Sequence, residues 1–154
     1  NIPKKKEKRL FLMMIYYNWR WIMQTWILDK NYAVSASQLD RRRLGAQIYE
    51  GIHVLASLLE VNDKLVTPKR SVKNHPVAKL WQGYEYGLYW YVHAHFVEWC
   101  KRGYKSDINQ RNMMFLFDYV LDKNSETVNP KITDNLIKLH KQVLRNKDEE
   151  FYGN

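Results

Sequence analysis

The chain has 154 residues, of which 45% are hydrophobic, so it is long enough to bury the core of one domain. Its 6 Gly and 4 Pro are too few for the many tight turns of an all-β protein. The one cysteine, Cys100, excludes an internal disulfide and fits a reducing, cytoplasmic compartment. His93 and His95 stand two positions apart and would point to different sides of a helix, so we predict no metal site and no cofactor.

The net charge of +9 is unevenly distributed along the chain. Residues 1–22 carry six Lys or Arg and one Glu, which leaves a net charge of +4 on residues 23–154. That remainder is basic enough to approach a polyanion, but basic character of this size does not by itself identify a nucleic-acid-binding protein.

The first 22 residues form a basic run followed by an apolar, aromatic stretch. A secretory signal is one interpretation, although no small-residue cleavage site follows. Polar residues interrupt the apolar stretch well short of the ~20 residues that a membrane span requires. We favour an over-long reading frame whose translation starts at Met23, or less favourably at Met13 or Met14; a basic amphipathic arm that touches membrane or nucleic acid is the alternative. The domain is therefore predicted to occupy residues 23–154.

After a short extended or irregular segment at residues 23–28, a first helix is predicted over residues 32–60. Its inward positions recur at helical spacing and are Leu44, Ile48, Ile52, Leu55 and Leu59. A polar edge runs beside that stripe and comprises Asp40, Arg43, Gln47 and Glu50. Taken alone, such an edge is typical of a solvated helix face with internal ion pairs.

A longer helix, predicted over residues 76–102, should form the spine of the core. Pro76 suits its first turn, and Gly103 suits the left-handed residue that ends a helix. Aromatic and aliphatic side chains recur along it at helical spacing. Glu85 and His95 lie on or beside that stripe. Because burying a charge is costly unless it is paired, we expect Glu85 to be held by an Arg or Tyr of a neighbouring helix, with a catalytic role as the alternative.

Two further helices complete the prediction, a shorter one at residues 108–121 and a last one at residues 133–146. The loop at residues 61–73 carries a small basic cluster. The predicted fold class is all-α, a compact single-domain bundle of three long helices plus a shorter one, with an irregular N-terminal segment. The residues expected to be buried together are Leu44, Ile48, Ile52, Trp81, Tyr84, Leu88 and Trp99.

Three blocks of the sequence share the pattern of one known group. They are LDRRRLGAQIYEGIHVL at 39–55, NHPVAKLWQGYEYGLYWYVHAHFVEWCKRGYK at 74–105 and LHKQVLRNKDEEFYGN at 139–154. They resemble, in the same order, the small bacterial and viral proteins related to pyrimidine-dimer DNA glycosylase, the endonuclease V of the ultraviolet-repair type. The group's motifs LD-x-x-RLG-K-Q-R, NHP-x-x-x-x-W-x-GYE and H-x-x-x-LLRK-x-P-E-x-Y are matched at most of their positions, and residues 1–22 lie outside the resemblance.

The resemblance implies a mostly helical domain that handles lesion-containing DNA. In the characterised repair enzymes, the α-amine of the processed N-terminus attacks the deoxyribose C1′, the resulting Schiff base permits strand cleavage by β-elimination, and a Glu on the first helix assists. An α-amine has a pKa of about 8 against about 10.4 for a lysine, so more of it is an unprotonated nucleophile at neutral pH. A damaged, poorly stacked base is also the easiest to displace from the duplex.

The resemblance and the pattern of polar residues together suggest three catalytic candidates. Met23 would supply the amine, and Glu50 would be the charge-stabilising or general-base carboxylate. His75 would act beside them, with a simple helix cap as an equally weighted alternative. The DNA-binding candidates have polar or basic side chains and are Arg42, Arg43, Gln47, Asn74, His140, Lys141 and Arg145. The polar edge of the first helix should then meet the start of the spine helix and the last helix.

Two departures from the family pattern bear on this assignment. The enzymes carry an R-E-L triplet on their first helix where this chain has Arg42-Arg43-Leu44, so their catalytic Glu aligns with Arg43. Glu50, two helical turns further on, is the nearest substitute. Gln24 follows Met23, and its bulky side chain disfavours the removal of an initiator methionine.

Two other function classes stay open. The chain could be a binding module that kept the helical scaffold and the basic surface but lost the amine chemistry, or a small helical interaction protein whose aromatic face meets a partner. Borohydride trapping on a lesion-containing duplex separates the enzyme from both alternatives. Salt-dependent binding to undamaged DNA separates the two alternatives from each other. Damaged duplex DNA is the expected partner, with no membrane and no metal involved.

Overall fold

The computed structural model describes residues 23–61, 70–123, 126 and 128–153. The predicted head at residues 1–22 and most of the predicted basic cluster in the 61–73 loop lie outside the described residues. The described part is all-α and contains no strand, which confirms the predicted fold class. Its helices in chain order are α1 (Tyr32–Ser37), α2 (Arg41–Leu58), α3 (Arg70–Lys73), α4 (Pro76–Trp81), α5 (Glu85–Lys101), α6 (Asp107–Leu121), α7 (Asp134–Lys147) and α8 (Glu149–Tyr152).

The predicted first helix is divided into α1 and α2, so the prediction of one continuous helix over residues 32–60 is wrong. Asp40 stands between them in an extended conformation, with φ −64° and ψ 160°, and its carboxylate accepts a hydrogen bond from the amide of Arg43 at 3.2 Å. This N-cap satisfies an amide that the first turn of a helix leaves without a partner. Asn31 caps α1 in the same way through the amide of Ala33.

The predicted spine is likewise two helices, α4 and α5, separated by residues 82–84. Gly83 has a φ of +84°, in the left-handed region that favours glycine at the end of a helix. Apolar spacing continues across the break, so periodicity alone predicted a single helix. Glu85 opens α5 and is buried, and its carboxylate accepts a hydrogen bond from the Gly83 amide at 3.2 Å. The sequence predicted that an Arg or Tyr of a neighbouring helix would hold Glu85. The hydrogen bond described for its carboxylate comes instead from a backbone amide.

The core lies where α2 packs on α5. Two glycines of α2 allow this close approach, because a Cβ added to Gly45 would lie 3.0 Å from the ring of Trp99 and a Cβ added to Gly51 would overlap Val92. Of the side chains predicted to be buried together, Tyr84 and Trp99 are only partly buried. The others are buried and are Leu44, Ile48, Ile52, Trp81 and Leu88.

The last two long helices pack in different clusters of the core. α6 packs on the main core through Met113, Leu116 and Val120. α7 begins after Thr133, which caps it as predicted, and its Val143 and Leu144 meet apolar side chains of the N-terminal segment and α2 in a second cluster. The N-terminal segment therefore lies between α2 and α7. No helix in the described part of the chain is long and apolar enough to cross a membrane.

Candidate active site

Residues 24–28 form a segment without regular secondary structure, whose backbone is hydrogen-bonded by side chains of the surrounding helices. Gln47 of α2 makes two of these bonds: its Nε2 donates to the carbonyl of Gln24 at 2.8 Å, and its Oε1 accepts from the amide of Trp26 at 2.8 Å. A buried backbone group without a partner costs roughly 1–3 kcal/mol. The two bonds therefore allow this segment to lie inside a protein whose described residues offer it no neighbouring strand.

Two aromatic side chains add hydrogen bonds to the same segment. The hydroxyl of Tyr91, on α5, lies 2.6 Å from Gln47 Oε1 and 3.0 Å from the carbonyl oxygen of Trp26, and it can donate its proton to one of them at a time. The indole Nε1 of Trp81 donates to Thr25 Oγ1 at 3.0 Å. Burial raises the pKa of Tyr91 well above its ordinary value, so the hydroxyl keeps its proton.

His140 of α7 holds the segment from the other side. Its Nδ1 lies 3.0 Å from the amide nitrogen of Ile27, which is a fixed donor, so Nδ1 accepts and the proton of the neutral ring resides on Nε2. The side-chain nitrogen of Gln24 lies 3.0 Å from Nε2 and also donates to the carbonyl of Thr25 at 3.3 Å. Burial lowers the pKa of His140 to about 4, which keeps the ring neutral and able to accept at higher pH.

Glu50, about one helical turn beyond Gln47 on α2, reaches the beginning of the segment. Its Oε2 accepts a hydrogen bond from the amide of Gln24 at 3.3 Å. Burial raises the pKa of Glu50 from 4.5 to about 7, and the Gln24 amide opposes this rise by stabilising the carboxylate. A carboxyl group with a pKa near 7 is divided between its two protonation states at neutral pH, which is the property that general acid–base catalysis uses.

A second polar cluster ties the end of the described chain to the start of α2. Arg43 Nη1 lies 3.1 Å from Asp40 Oδ1 and 3.5 Å from Asp148 Oδ2. The Tyr152 hydroxyl donates to Asp40 Oδ1 and accepts from the Asp40 amide at 2.9 Å. Burial alone would raise the pKa of Asp40, but the hydrogen bonds from Tyr152 and Arg43 outweigh it and lower the pKa. The charge of Arg43 is therefore already compensated within the protein.

The catalytic candidates are brought together only in part. Glu50 meets the amide of Gln24, and Met23 is half-buried against the main core one residue earlier. His75 caps α4, because its Nδ1 accepts a hydrogen bond from the amide of Val77 at 3.2 Å. No hydrogen bond or ion pair among the described residues connects His75 to Glu50. His75 therefore has, in the Val77 amide, the hydrogen-bond partner that the helix-cap alternative requires.

Six of the seven DNA-binding candidates divide into a buried and an exposed group, and the seventh, Arg43, is partly buried and ion-paired. Gln47 is 1% exposed and His140 is 0% exposed, and both are bonded to the chain itself. Four others are exposed on α2, before α4 and on α7, and are Arg42, Asn74, Lys141 and Arg145. Within the described ranges, no hydrogen bond or ion pair holds Arg42, Lys141 or Arg145, so these side chains are available to an outside anion.

Sequence reasoning missed the role of Tyr91 and of the backbone of residues 24–27. Tyr91 was predicted only as part of an aromatic stripe, yet a buried tyrosine hydroxyl needs a hydrogen-bonding partner, and that requirement was the available signal. The described residues contain no group of three or more His, Cys, Asp or Glu side chains that could hold a metal ion.

Comparison with known proteins gives one match. A family model described as pyrimidine dimer DNA glycosylase matches residues 23–112, which is more than half of the chain. The matched region begins at the N-terminal segment and includes Gln47, Glu50 and Tyr91, whereas His140 lies beyond it. No curated protein and no solved structure matches the chain significantly.

Proposed function

The chain belongs to the family of pyrimidine dimer DNA glycosylases, and we propose that it acts on lesion-containing DNA as a glycosylase with lyase activity. One observation carries the proposal. The backbone nitrogen of residue 24 lies 3.3 Å from the Glu50 carboxylate, in a part of the chain that the family match includes. A free amine at this place would be next to a carboxyl group whose pKa is raised to about 7.

The proposed reaction uses these two groups in sequence. The α-amine attacks C1′ of the damaged nucleotide, the glycosidic bond breaks, and the base leaves with the bonding electrons and takes up a proton. The C1′–O4′ bond of the sugar then opens, with O4′ taking up a proton, and leaves an iminium ion between the amine nitrogen and C1′. This ion is positively charged, so a nearby Glu50 carboxylate would stabilise it. Removal of a C2′ proton by a general base then expels the 3′ phosphate oxygen and cuts the strand.

The chemistry requires a free N-terminus close to Glu50. A peptide nitrogen is a poor nucleophile because its lone pair is delocalised into the carbonyl group. The active form would therefore carry its α-amine at residue 23 or 24. Two observations support this choice: the family match begins at residue 23, and Met23 is packed against the core beside the Glu50 contact.

Phosphate binding is proposed for the exposed basic residues of α2 and α7. Lys141 and Arg145 stand one helical turn apart on α7 and directly follow the buried histidine that holds the N-terminal segment, and Arg42 is exposed near the start of α2. Arginine and lysine side chains that are not engaged in internal ion pairs can release counterions from DNA. Arg43 differs from them, because two carboxylates already compensate its charge.

The test compares three forms of the protein: the full chain, a form that begins at Met23, and a form that a specific protease releases with Gln24 first. Each form is mixed with a duplex that carries one cyclobutane pyrimidine dimer, and sodium borohydride is added to reduce any Schiff base to a stable adduct. We expect strand cleavage and a trapped adduct when the amine is at residue 23 or 24, and neither with the full chain.

Mapping the adduct decides which group is the nucleophile. Mass spectrometry of the trapped peptide should place the DNA on the α-amine. Lys147, whose Nζ lies 5.3 Å from the centre of the Trp26 ring, is the internal control, because an adduct on this lysine would overturn the assignment. Absence of cleavage and of an adduct in every form would overturn the enzymatic proposal itself.

A non-catalytic nucleic-acid-binding module is the second candidate. Arg43 stands where the related enzymes carry their catalytic Glu, and it is bound to Asp40 and Asp148. Such a module keeps the scaffold without that carboxylate. Salt-dependent binding to the same duplex with neither cleavage nor trapping in any of the three forms would support it.

A further inference from the structure

Gln47 and His140 share an unusual position, since both were predicted to contact DNA and both are buried. Gln47 is 1% exposed and His140 is 0% exposed, so neither side chain can reach a phosphate or a base from its place in the fold. All the hydrogen bonds described for their polar atoms lead to residues 24–27 or to Tyr91. Their role therefore lies in how they hold residues 24–27.

The carboxamide of Gln47 acts like a neighbouring strand. It donates to the carbonyl of Gln24 and accepts from the amide of Trp26, the pair of backbone groups that a residue of a parallel strand would also bond. If the segment slipped by one residue, the donor and the acceptor of Gln47 would no longer meet these two groups. Gln47 therefore fixes the register of the segment as well as its position.

His140 fixes the same segment from α7. Its Nδ1 accepts from the amide of Ile27, and its Nε2 meets the side chain of Gln24. One ring thus contacts both ends of a stretch of four residues. With α2 on one side and α7 on the other, the segment can neither slide nor rotate without breaking a buried hydrogen bond.

We propose that Gln47 and His140 are positioning residues that hold the backbone nitrogen of residue 24 beside the Glu50 carboxylate. The catalytic consequence of this positioning rests on the proposed function, in which that nitrogen, or the one just before it, is the nucleophile. Without the two side chains the segment would still be held at Thr25 by Trp81, at Trp26 by Tyr91 and at Leu28 by Ser35, but the carbonyl of Gln24 and the amides of Trp26 and Ile27 would lose their partners. We expect the position of residue 24 to become less constrained and Glu50 to become more hydrated.

The first experiment uses the full chain and needs no activity. Gln47→Met and His140→Phe keep approximate size and shape but remove the hydrogen bonds. The Glu50 carboxyl is titrated by carbon-13 NMR in each protein. We expect a midpoint near 7 in the wild type, and a fall toward 4.5 in both variants as the segment loosens and the carboxyl becomes hydrated. An unchanged midpoint in both folded variants would overturn the proposal.

The second readout is hydrogen exchange of the two amides that the side chains hold. The Trp26 amide should exchange faster in Gln47→Met, and the Ile27 amide should exchange faster in His140→Phe. Two controls remove hydrogen bonds elsewhere on the same helices. They are Ser57→Ala on α2, where the hydroxyl donates only to its own helix at His53, and Thr133→Ala on α7, which removes the N-cap bond to the Leu136 amide. Faster exchange at Trp26 and Ile27 in the controls as well would show general loosening and overturn the positioning role.

A conservative variant keeps the proposal testable if His140→Phe does not fold. An asparagine in place of His140 can put its Oδ1 where the histidine Nδ1 stands, so His140→Asn should preserve slow exchange at Ile27 and the Glu50 midpoint. If a folded His140→Asn protein lost either the slow exchange at Ile27 or the wild-type midpoint of Glu50, the proposed contact would be overturned.

The third readout connects position with chemistry. In the form whose free amine traps DNA, Gln47→Met should lower the rate of adduct formation at saturating DNA by about 100-fold, because small displacements of reacting groups are expensive. The dissociation constant for the lesion duplex should stay unchanged, since Gln47 is buried. Equal adduct rates in Gln47→Met and the wild type would overturn the proposal. If the wild type forms no adduct at all, the proposed function fails, while the NMR and exchange results still decide the positioning role.

Discussion

Helix α2 meets its neighbours in two different ways. Toward α5 it presents Gly45 and Gly51, whose missing side chains let Trp99 and Val92 come close, and the contact around these two glycines is apolar. Toward residues 24–28 it presents the side-chain amide of Gln47 and the carboxyl group of Glu50, which form hydrogen bonds with the backbone of that segment. Helix α2 therefore has one interface that contributes mainly to stability and another that fixes the position of residue 24.

The difference lies in what each interaction specifies. Apolar packing contributes about 25 cal/mol per Å² of buried surface and depends little on orientation. A typical internal hydrogen bond contributes only about 0.5–1.5 kcal/mol net, but it is directional, and a buried group that loses its partner is strongly unfavourable. The α2–α5 contact should thus govern whether the protein folds, and the contact of α2 with the N-terminal segment should govern where residue 24 lies.

The largest expected effect concerns Glu50. Glu50→Gln should reduce lesion-dependent strand cleavage by at least about 100-fold, because an amide can neither accept a proton nor stabilise a cation as a carboxylate does. The wild-type rate should rise through pH 7, where burial places the pKa of Glu50. Single-turnover cleavage and equilibrium binding of the same duplex measure the two effects separately.

DNA affinity and thermal stability should be nearly unchanged in Glu50→Gln, since the neutral side chain avoids the cost of a half-buried charge. Cleavage at the wild-type rate would rule out the catalytic assignment. A marked loss of stability without loss of cleavage would show that this edge of α2 serves the fold, which would erase the distinction between the two interfaces.

The next effect is a pH dependence of stability. The unfolded chain binds a proton at His140 below pH 6.5, whereas the folded protein resists it until about pH 4, so stability from this group is full above pH 6.5 and declines as the pH falls. Relative to His140→Asn, the wild type should lose about 3 kcal/mol of unfolding free energy across that interval. Urea unfolding at several pH values measures it. The pKa of His95 is lowered to about 4 by burial as well, but both proteins share its contribution. If the unfolding free energies of the wild type and His140→Asn changed with pH in parallel, a buried, neutral His140 would be contradicted.

A smaller effect is expected at the apolar interface. Gly51→Ala should destabilise the protein by about 1–3 kcal/mol, because the new methyl group overlaps Val92 and the helices must separate. Val92→Ala in the same chain should recover part of that loss, and a double-mutant cycle by chemical unfolding measures the recovery. The midpoint of the Glu50 titration should not move in Gly51→Ala. Additive losses with no recovery would mean that the two residues do not meet.

The smallest expected effect concerns the exposed basic residues of α7. Arg145→Ala should weaken binding to any duplex and lower the slope of log affinity against log salt by about one, as the loss of one phosphate contact does. Lys131→Ala is the control with the same change of charge, since Lys131 lies in the loop before α7 and its ammonium is bonded to the Lys79 carbonyl at 2.9 Å. Equal effects of the two substitutions would indicate that only net charge matters. Cleavage at saturating protein should be normal in both.

Helical periodicity and capping residues predicted most of the fold. Thr133 begins its helix as predicted, and the inward residues of α2 are buried as the spacing requires. The breaks at residues 38–40 and 82–84 were not predicted, because each is too short to interrupt an apolar stripe. Asp40 favours the N-cap of a helix and Gly83 favours the left-handed conformation that ends one, so both residues indicate a break. The prediction gave more weight to the continuous apolar periodicity.

The candidate site was predicted by its polar residues and missed in its geometry. Gln47, Glu50 and His140 were identified as functional positions, yet the partner that unites them is the backbone of residues 24–27. A short irregular segment without a strand partner in the described chain has no periodic signal. Side-chain bonds to backbone also depend on elements far apart in sequence, so they cannot be derived from local spacing.

The contact between Gln24 and His140 has a chemical consequence for an amine at residue 24. A glutamine at a free N-terminus destroys its own nucleophile, since the amine attacks the side-chain carboxamide, ammonia leaves, and a closed lactam remains. The carboxamide nitrogen of Gln24 lies 3.0 Å from the ring nitrogen of His140 and also donates to the carbonyl of Thr25 at 3.3 Å, so two contacts fix the orientation of the side chain. We expect this fixed orientation to slow the cyclisation. In a form that begins at Gln24, intact-mass measurements should detect loss of ammonia sooner in His140→Phe than in the wild type.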